Sequence, residues 1–351
     1  MRRRFLLSGG ISILLGGLAL LGLQGCGSKS NTVTVYTSVD RDYAEPIITA
    51  YQEQNPELKV NAIYDSEMTK TTGLFNRLLE EKNNPQADVF WNSEIARTIQ
   101  LKNEGLLAAY KSPAAADIPD QYKDPEGFWT GFSARARVML INNTLAPETE
   151  TPASVPTLGK VMFQGKTAGM ATPQFGTTAT HMAALYTLWG KERFALIAKT
   201  IQGRGIKLFP GNASVRDAVV EGIIAYGLTD TDDAYAALDE GQPVRMAFID
   251  QGEQEVGTLI IPNTVALIKG SPNPENGKKL IDYLLSPAVE EKLAQSRAKQ
   301  IPVRNSVPRP EGTPDLTTLK AIQVDYNTVA QNMEPCLELL RGGVIIHLYG
   351  F

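Results

Sequence analysis

The apolar residues of this chain follow two spacings that alternate along the sequence. Short β-branched and aromatic runs predict buried strands, and each run precedes a stretch with apolar residues every three or four positions, as on one face of a helix. In the first series the strands are predicted at 32–36, 58–64 and 87–91, and the helices at 43–54, 72–82 and 94–103. A second series of the same kind occupies 167–249. Strands that alternate with helices predict parallel, doubly wound sheets.

Two further apolar runs, 131–143 and 258–269, are long enough to cross between the two series. The fold class is therefore predicted as α/β, with two lobes joined by two crossing hinge strands. The expected boundaries are 27–137 plus 263–304 for the first lobe, 138–262 for the second lobe, and 305–351 for a C-terminal helical segment that packs on the lobes. Because open α/β sheets bind ligands beyond the carboxyl ends of their strands, we expect the site in a cleft between the lobes.

The amino terminus carries an export signal. Three arginines at 2–4 precede an uncharged apolar run at 5–23, which ends at Leu-Gln-Gly-Cys with Cys26 last. This order predicts a cleaved signal peptide over 1–26 and resembles a bacterial lipobox, in which the Cys26 thiol is acylated. We therefore expect a lipid anchor at Cys26, on the periplasmic or cell-surface side of a bacterial membrane. The run is also long enough for a transmembrane helix, and the arginines resemble a twin-arginine signal.

The composition excludes several classes of function. The chain of 351 residues is 43% hydrophobic and 21% charged with a net charge of -4, so it is typical of a globular domain without the basic surface that nucleic acids require. Only two cysteines and two histidines are present, and no motif of a metalloprotease, serine hydrolase or nucleotide-binding loop occurs. We expect no enzyme activity and no cofactor, and we expect Cys336 to be a small buried side chain.

Short polar turns precede the predicted helices on the side of the cleft. Helix amino termini leave backbone N–H groups unpaired and carry partial positive charge, so several of them aimed at one point form an anion site. The same residue types are also ordinary helix caps, which leaves both roles open. The candidate ligand-binding residues in these turns are Thr37, Ser38, Ser93, Gly176, Thr177, Thr178, Ser214 and Thr231.

Charged residues near the same turns add two further candidates. Arg135 and Arg137 share a face of the first crossing strand, so they either clamp an anion in the cleft or pair with carboxylates at the lobe boundary. The run 229–233 contains three aspartates, which either contact a cation, an ammonium or hydroxyls, or begin a helix. Asp232 is the preferred ligand-binding residue of this run.

Several longer motifs together resemble one known family. They are V-T-V-Y-T-S-V-D, A-D-V-F-W-N-S-E, R-V-M-L-I-N-N, A-T-P-Q-F-G-T-T-A-T-H, Y-G-L-T-D-T-D-D-A and I-P-N-T-V-A-L-I-K-G-S-P-N-P-E-N-G-K-K-L-I-D-Y-L-L-S-P. The chain resembles type II periplasmic substrate-binding proteins of ABC importers, in the cluster that binds ferric iron, thiamine, phosphonates and sugar phosphates. The resemblance implies a monomer with the two-lobed clamshell fold. It also implies that the protein delivers a small-molecule ligand to ABC permease and ATPase subunits and catalyses no reaction.

The chain departs from this family at the ligand. Iron binders of the cluster carry adjacent tyrosines where this sequence has Asp232 and Asp233. Hydroxyl-rich turns, Arg135 and the aspartate run therefore favour an anionic solute, such as an organophosphate or phosphonate, whose other end carries hydroxyls or an amine. The alternative is ferric iron as the transported ligand, with Asp232 and Asp233 as its carboxylate ligands. A secreted enzyme or a solute-sensing lipoprotein on the same fold is the alternative of another class.

Overall fold

The protein is described by a computed structural model that covers residues 31–66, 69–149, 151–152, 154–160 and 168–342. The predicted signal peptide with Cys26, and the apolar carboxyl terminus at 344–351, lie outside these residues. Within them, no helix is both long enough and apolar enough to cross a membrane.

Strands and helices alternate in the described chain as the two apolar spacings predict. The strands are Thr32–Thr37 (β1), Lys59–Tyr64 (β2), Val89–Asn92 (β3), Leu107–Ala108 (β4), Thr130–Asn142 (β5), Ala168–Ala171 (β6), Lys207–Phe209 (β7), Tyr226–Asp230 (β8), Val244–Ala247 (β9) and Ile260–Ile268 (β10). The helices are Arg41–Gln54 (α1), Thr72–Glu80 (α2), Ala96–Asn103 (α3), Gly176–Gly203 (α4), Asn212–Val220 (α5), Thr231–Asp239 (α6), Pro274–Leu284 (α7), Pro287–Gln295 (α8) and Tyr326–Leu340 (α9).

The strands form two half-sheets that share β5. The first runs β2-β1-β3-β10-β5, and the second continues β5-β8-β6-β7, with β4 beside β10 and β9 beside β5. Residues 130–136 of β5 pair with β10, and residues 137–142 pair with β8 and β9. Pairing is parallel within each predicted series and antiparallel at β5 and β10. Below, the first and second lobes are these half-sheets with their flanking helices.

All thirteen residues of β5 are buried, including Arg135 and Arg137. A strand that joins two sheets and is covered on both faces normally carries apolar residues only. Two arginines at its midpoint therefore require polar partners inside the protein. The second strand predicted to cross, β10, pairs with β3, β4 and β5 of the first lobe. The chain therefore passes from the second lobe back to the first between β9 and β10.

The C-terminal helix α9 packs against α3 of the first lobe and α4 of the second. Arg97 of α3 forms an ion pair of 2.8 Å with Glu334, and Asn332 donates a hydrogen bond of 3.1 Å to Thr187 of α4. Cys336 is fully buried on this helix as a free thiol, as predicted, and burial raises its pKa to about 12. The helix thus ties the two lobes together behind the sheets.

Candidate functional site

The carboxyl ends of strands from both lobes open onto one cleft. The space between its lining residues is about 490 Å3 when the open mouth is included. Most lining residues directly follow a strand or begin a helix. They are Asp40, Lys70, Ser93, Arg135, Ala171, Phe175, Gly176, Thr177, Thr178, Pro210, Gly211, Asn212, Ala213, Asp230, Asp232 and Asp233. The position agrees with the expectation for open α/β sheets.

Arg135 presents unused hydrogen-bond donors to this cleft. Its side chain is 5% exposed, and its Nη1 lies 3.7 Å from Oδ2 of both Asp230 and Asp232, beyond hydrogen-bond length. Its Nε and Nη2 have no hydrogen-bond partner among the residues that the structure describes. A buried guanidinium with unpaired N–H groups is costly unless another group accepts from them, so this arginine is suited to hold an anion.

Arg137, two residues along the strand, is occupied by the protein. Its guanidinium donates 2.7 Å to Oδ1 of Asp230 and bonds the hydroxyls of Thr177 and Thr178 and the amide oxygen of Asn212. Asp230 in turn accepts from Thr177 (2.7 Å) and Asn212 (2.9 Å). This network joins β5, β8 and the first residues of α4 and α5. Of the two roles predicted for the arginine pair, Arg137 has the pairing role.

Two helices begin at the cleft wall next to this network. Gly176, the first residue of α4, has φ 56, a left-handed conformation that glycine adopts without strain. Its N–H donates 3.2 Å to the Lys70 carbonyl oxygen of the first lobe. The first turns of α4 and α5 line the cleft with Thr177, Thr178 and Asn212, so the positive ends of two helix dipoles face the same space as Arg135.

Three neighbouring aspartates differ in their protonation. Burial alone would raise the pKa of Asp230, but Arg137 and Arg135 outweigh it and hold that pKa below its usual value. For Asp232, burial outweighs the attraction of Arg135 and raises its pKa to about 6, helped by Asp230 and Asp40. Burial and then the charge of Asp232 raise the pKa of Asp233 well above its usual value. The cleft therefore has a carboxyl-rich region, and a positive group bound there would stabilise the ionised carboxylates.

The first lobe contributes Asp40, Lys70 and Ser93 to the lining. Asp40 follows β1 and forms an ion pair with Lys70, which precedes α2. Ser93 follows β3, and its N–H donates 2.8 Å to the buried Ser38 hydroxyl. The carboxylate of Asp40 raises the pKa of Asp232 in the second lobe, so the acidic side of the cleft is assembled from both lobes.

The structure brings Ser93, Arg135, Gly176, Thr177, Thr178, Asp232 and Asp233 into the lining, all named from the sequence. Thr37, Ser38, Ser214 and Thr231 stand outside it. The Ser38 hydroxyl donates to Asn92, and those of Thr37 and Thr231 accept from backbone N–H groups of Val39 and Ala136. The hydroxyls of these three residues form hydrogen bonds within the fold, and direct solute contact by them stays a prediction.

Sequence reasoning did not select Asp40, Lys70 or Asn212. Each lies in a polar turn between a strand and a helix, so the turn pattern was the available signal. What distinguishes them from other capping residues is the ion pair between Asp40 and Lys70 and the hydrogen bond of Asn212 with Arg137, which only the packed structure supplies.

Possible metal ligands and histidines also bear on the chemistry of the cleft. Within the described ranges, no three His, Cys, Asp or Glu side chains are arranged to hold a metal ion. His181 of α4 is 1% exposed, and burial followed by the charge of Arg137 lowers its pKa to about 3. Its ring is therefore neutral and packs beneath the network of Arg137. The second histidine, His347, lies outside the described residues.

Comparison with known proteins assigns the fold. The family model described as bacterial extracellular solute-binding protein matches residues 46–323. A putative 2-aminoethylphosphonate-binding periplasmic protein of Salmonella paratyphi A is 28% identical over 291 residues, 76% of this chain and 81% of that protein. Iron-bound HitA from Pseudomonas aeruginosa superposes with a TM-score of 0.79 at 22% identity, over 89% of this chain and 98% of its own.

A second solved structure is similar in the same way. AfuA from Actinobacillus pleuropneumoniae, with fructose-6-phosphate bound, has a TM-score of 0.78 at 21% identity and covers 90% of this chain and 99% of its own. The α/β clamshell with two lobes, predicted from the motifs, is confirmed by both structures. The proteins named in these comparisons bind solutes, so they give no support to an enzyme on this fold.

Proposed function

We propose that this chain, which belongs to the family of bacterial extracellular solute-binding proteins, is the capture component of an ABC-type importer. It holds a small solute of the phosphonate or phosphate ester class between its lobes and delivers it to the permease and ATPase subunits. The solute favours the closed arrangement because it contacts both lobes only there. The relative from Salmonella, named for an aminophosphonate, supports this class.

The observation that carries the proposal is the pair of unused donor atoms on Arg135. Its Nε and Nη2 are buried without a partner among the described residues, and Arg135 lines a space that the amino termini of α4 and α5 also line. A tetrahedral oxyanion accepts from a guanidinium at two oxygens and from backbone N–H groups at a helix start. Arg135 and the first turns of α4 and α5 would supply both kinds of donor, whereas both terminal nitrogens of Arg137 already donate to groups of the protein.

The carboxyl-rich part of the cleft lining supports a cationic or hydroxylated end of the solute. Asp40, Asp232 and Asp233 lie there, and the pKa values of the last two are raised by burial and by neighbouring carboxylates. A primary ammonium would relieve this repulsion and donate up to three hydrogen bonds. The donors of Arg135 and of the helix starts favour a phosphonate, and the carboxyl groups favour an amine. Together they favour a solute that carries both groups.

Cys26 completes the proposal as a lipid anchor on the outer face of the membrane that contains the permease. Several acyl chains, at about 0.8 kcal/mol for each buried methylene, hold a soluble domain at a membrane durably. The binding domain would act as a monomer beside the permease. Mass spectrometry of the membrane-extracted protein should find Cys26 acylated and residues 1–25 removed; an unmodified Cys26 would contradict the anchor.

A calorimetric panel tests the class of solute. We expect 2-aminoethylphosphonate to bind, methylphosphonate to bind more weakly because it lacks the amine, and ferric citrate to give no heat. Arg135→Met should abolish the signal, while a substitution at the exposed Glu57, such as Glu57→Gln, should leave it unchanged. Binding of ferric citrate alone would refute the anion class and favour the iron alternative with Asp232 and Asp233 as ligands.

A further inference from the structure

The first turns of α4 contact the first lobe at two points on one helix face. The Gly176 N–H donates 3.2 Å to the Lys70 carbonyl oxygen, and the Thr180 hydroxyl donates 2.7 Å to Oε2 of Glu94. Residues four apart lie above one another on a helix, so this face of α4 is directed at the first lobe. The second of these contacts is completely buried, because Thr180 and Glu94 are both 0% exposed.

Glu94 is held on the first lobe by its own surroundings. Its carboxylate accepts from the N–H groups of Ala96 (2.7 Å) and Arg97 (2.9 Å) at the start of α3, and from the Asn92 amide (3.2 Å). A carboxylate at a helix amino terminus is stabilised by the unpaired N–H groups and by the helix dipole. Glu94 is therefore a fixed acceptor, and Thr180 is the donor that the other lobe brings to it.

A short chain of hydrogen bonds leads from Glu94 back to the cleft. The Asn92 amide oxygen accepts 2.6 Å from the Ser38 hydroxyl, which lies 3.0 Å from the hydroxyl of Ser93 in the cleft lining. On the other lobe, Thr178 lines the cleft two residues before Thr180. The Thr180–Glu94 hydrogen bond thus joins the wall of the cleft that contains Thr178 to the wall that contains Ser93. Neither Thr180 nor Glu94 lines the cleft itself.

We propose that Thr180 and Glu94 are positioning residues, whose hydrogen bond aligns the amino terminus of α4 with the Ser93 wall when the lobes close. The alignment matters because the N–H groups of α4 and Arg135 must reach the same anion, and a shift of the helix would separate them. This inference rests on the proposed capture of a solute, although the contact itself is a property of the two lobes. No catalytic or metal chemistry is involved.

The test is a matched pair at residue 180. Thr180→Val removes the hydroxyl and keeps the shape, whereas Thr180→Ser keeps the hydroxyl. Nitroxide labels on Glu57→Cys in the first lobe and Lys199→Cys in the second report the distance between the lobes, and both positions are exposed. The background is Cys26→Ser, in which the remaining cysteine, Cys336, is buried. We expect a broadened distance distribution for Thr180→Val and a wild-type distribution for Thr180→Ser. Thr180→Ala provides a second hydroxyl-free variant if the valine variant fails to fold.

Binding of 2-aminoethylphosphonate by calorimetry gives the second readout. A hydrogen bond to a buried carboxylate corresponds to about tenfold in affinity or more, so Kd should rise by at least that factor in Thr180→Val and return to the wild-type value in Thr180→Ser. Thr187→Val, on the same helix, removes a hydroxyl that contacts α9 and not Glu94, and should leave Kd unchanged.

The outcomes separate the two proposals. If wild-type protein binds no phosphonate, the proposed function fails, and the distance distributions still decide the role of Thr180. If Thr180→Val keeps a narrow, wild-type distribution, or if Thr180→Ser disturbs it equally, the hydroxyl does not position α4 and the inference is overturned.

Discussion

Arg135 and Arg137 stand two residues apart on one strand, equally buried, and have opposite surroundings. Arg137 bonds a carboxylate, two hydroxyls and an amide at 2.7–3.2 Å. Arg135 has two carboxylate oxygens at 3.7 Å and, within the described part of the chain, no acceptor for its Nε and Nη2. Arg137 therefore stabilises the fold, and Arg135 is the residue of the pair that we propose binds the solute.

The difference shows how a buried charge is assigned a role. A guanidinium whose donors are satisfied by the protein fixes the elements around it, because any ligand would have to replace existing bonds. A guanidinium with donors to spare carries a desolvation cost that a ligand offsets on binding. On this strand Arg137 holds neighbouring elements of the fold together. Arg135, on the same face, is the side chain that we propose contacts the solute.

The largest expected effect is on stability, from Arg137→Met. Removing one partner of a buried ion pair leaves Asp230 without compensation, so the free energy of unfolding should fall by about 3–5 kcal/mol. Urea denaturation followed by circular dichroism measures this loss. Arg135→Met is the matched control and should cost less, since its Nη1 lies 3.7 Å from the nearest carboxylate oxygens and its Nε and Nη2 have no partner within the described residues. Equal losses would erase the distinction between the two arginines.

The next effect is on binding, from Arg135→Met. Two charge-assisted hydrogen bonds to an oxyanion would be lost, so Kd for 2-aminoethylphosphonate should rise by about 100-fold or more. Isothermal titration calorimetry on folded protein gives the value. Arg135→Lys should recover only part of the affinity, because an ammonium lacks the planar fork of donors. An unchanged Kd would place the anion elsewhere in the cleft.

A third effect is a dependence of stability on pH that differs in sign between two aspartates. The folded pKa of Asp232, about 6, lies above the ordinary value of 3.8, so this carboxyl favours folding below pH 4 and loses that contribution as pH rises through 6. Asp232→Asn should therefore stabilise the solute-free protein by about 3 kcal/mol at pH 8 and have no such effect at pH 4.

Asp230 should behave in the opposite way. Arg137 holds its pKa below the ordinary value, so its ionised form stabilises the fold at neutral pH and Asp230→Asn should destabilise the protein at pH 8, with a smaller loss in acid. Thermal unfolding between pH 4 and pH 8 compares both variants. The same sign for both would mean that Arg135 compensates Asp232 as fully as Arg137 compensates Asp230.

The smallest effect concerns the amine of the solute. Replacing Asp232 and Asp233 together by asparagine should weaken 2-aminoethylphosphonate by about tenfold, because an ammonium loses its negative partners, and should leave methylphosphonate nearly unchanged. Competition calorimetry with the two solutes measures the difference. Equal losses for both would assign the aspartates to the structure of α6 rather than to the amine.

Much of the fold could be predicted from spacing alone. The run 131–143 corresponds to β5, and the strand and helix alternation places most other elements within a few residues. Within α4, Gly190 with φ 73 kinks the chain, and a second helical stretch follows at once and ends at Gly203. A glycine predicts a break in a helix but not what comes after it.

The candidate site was predictable only as far as local rules reach. Turn chemistry identified Ser93 and the start of α4, and strand periodicity placed both arginines on one face. The separate roles of Arg135 and Arg137 depend on Asp230, almost 100 positions away, and on Asn212 in a different helix. Such contacts form only when distant segments of the chain pack together. A pattern in a short stretch of sequence therefore cannot predict them.

The shared strand also sets the order in which this protein can fold. Ala136 of β5 pairs with Ile260 of β10, so the first half-sheet is incomplete until more than 100 further residues have been synthesised. Contacts between such distant residues make folding slow, since a large loop must close before they form. The first half-sheet can therefore close only after β10 has left the ribosome.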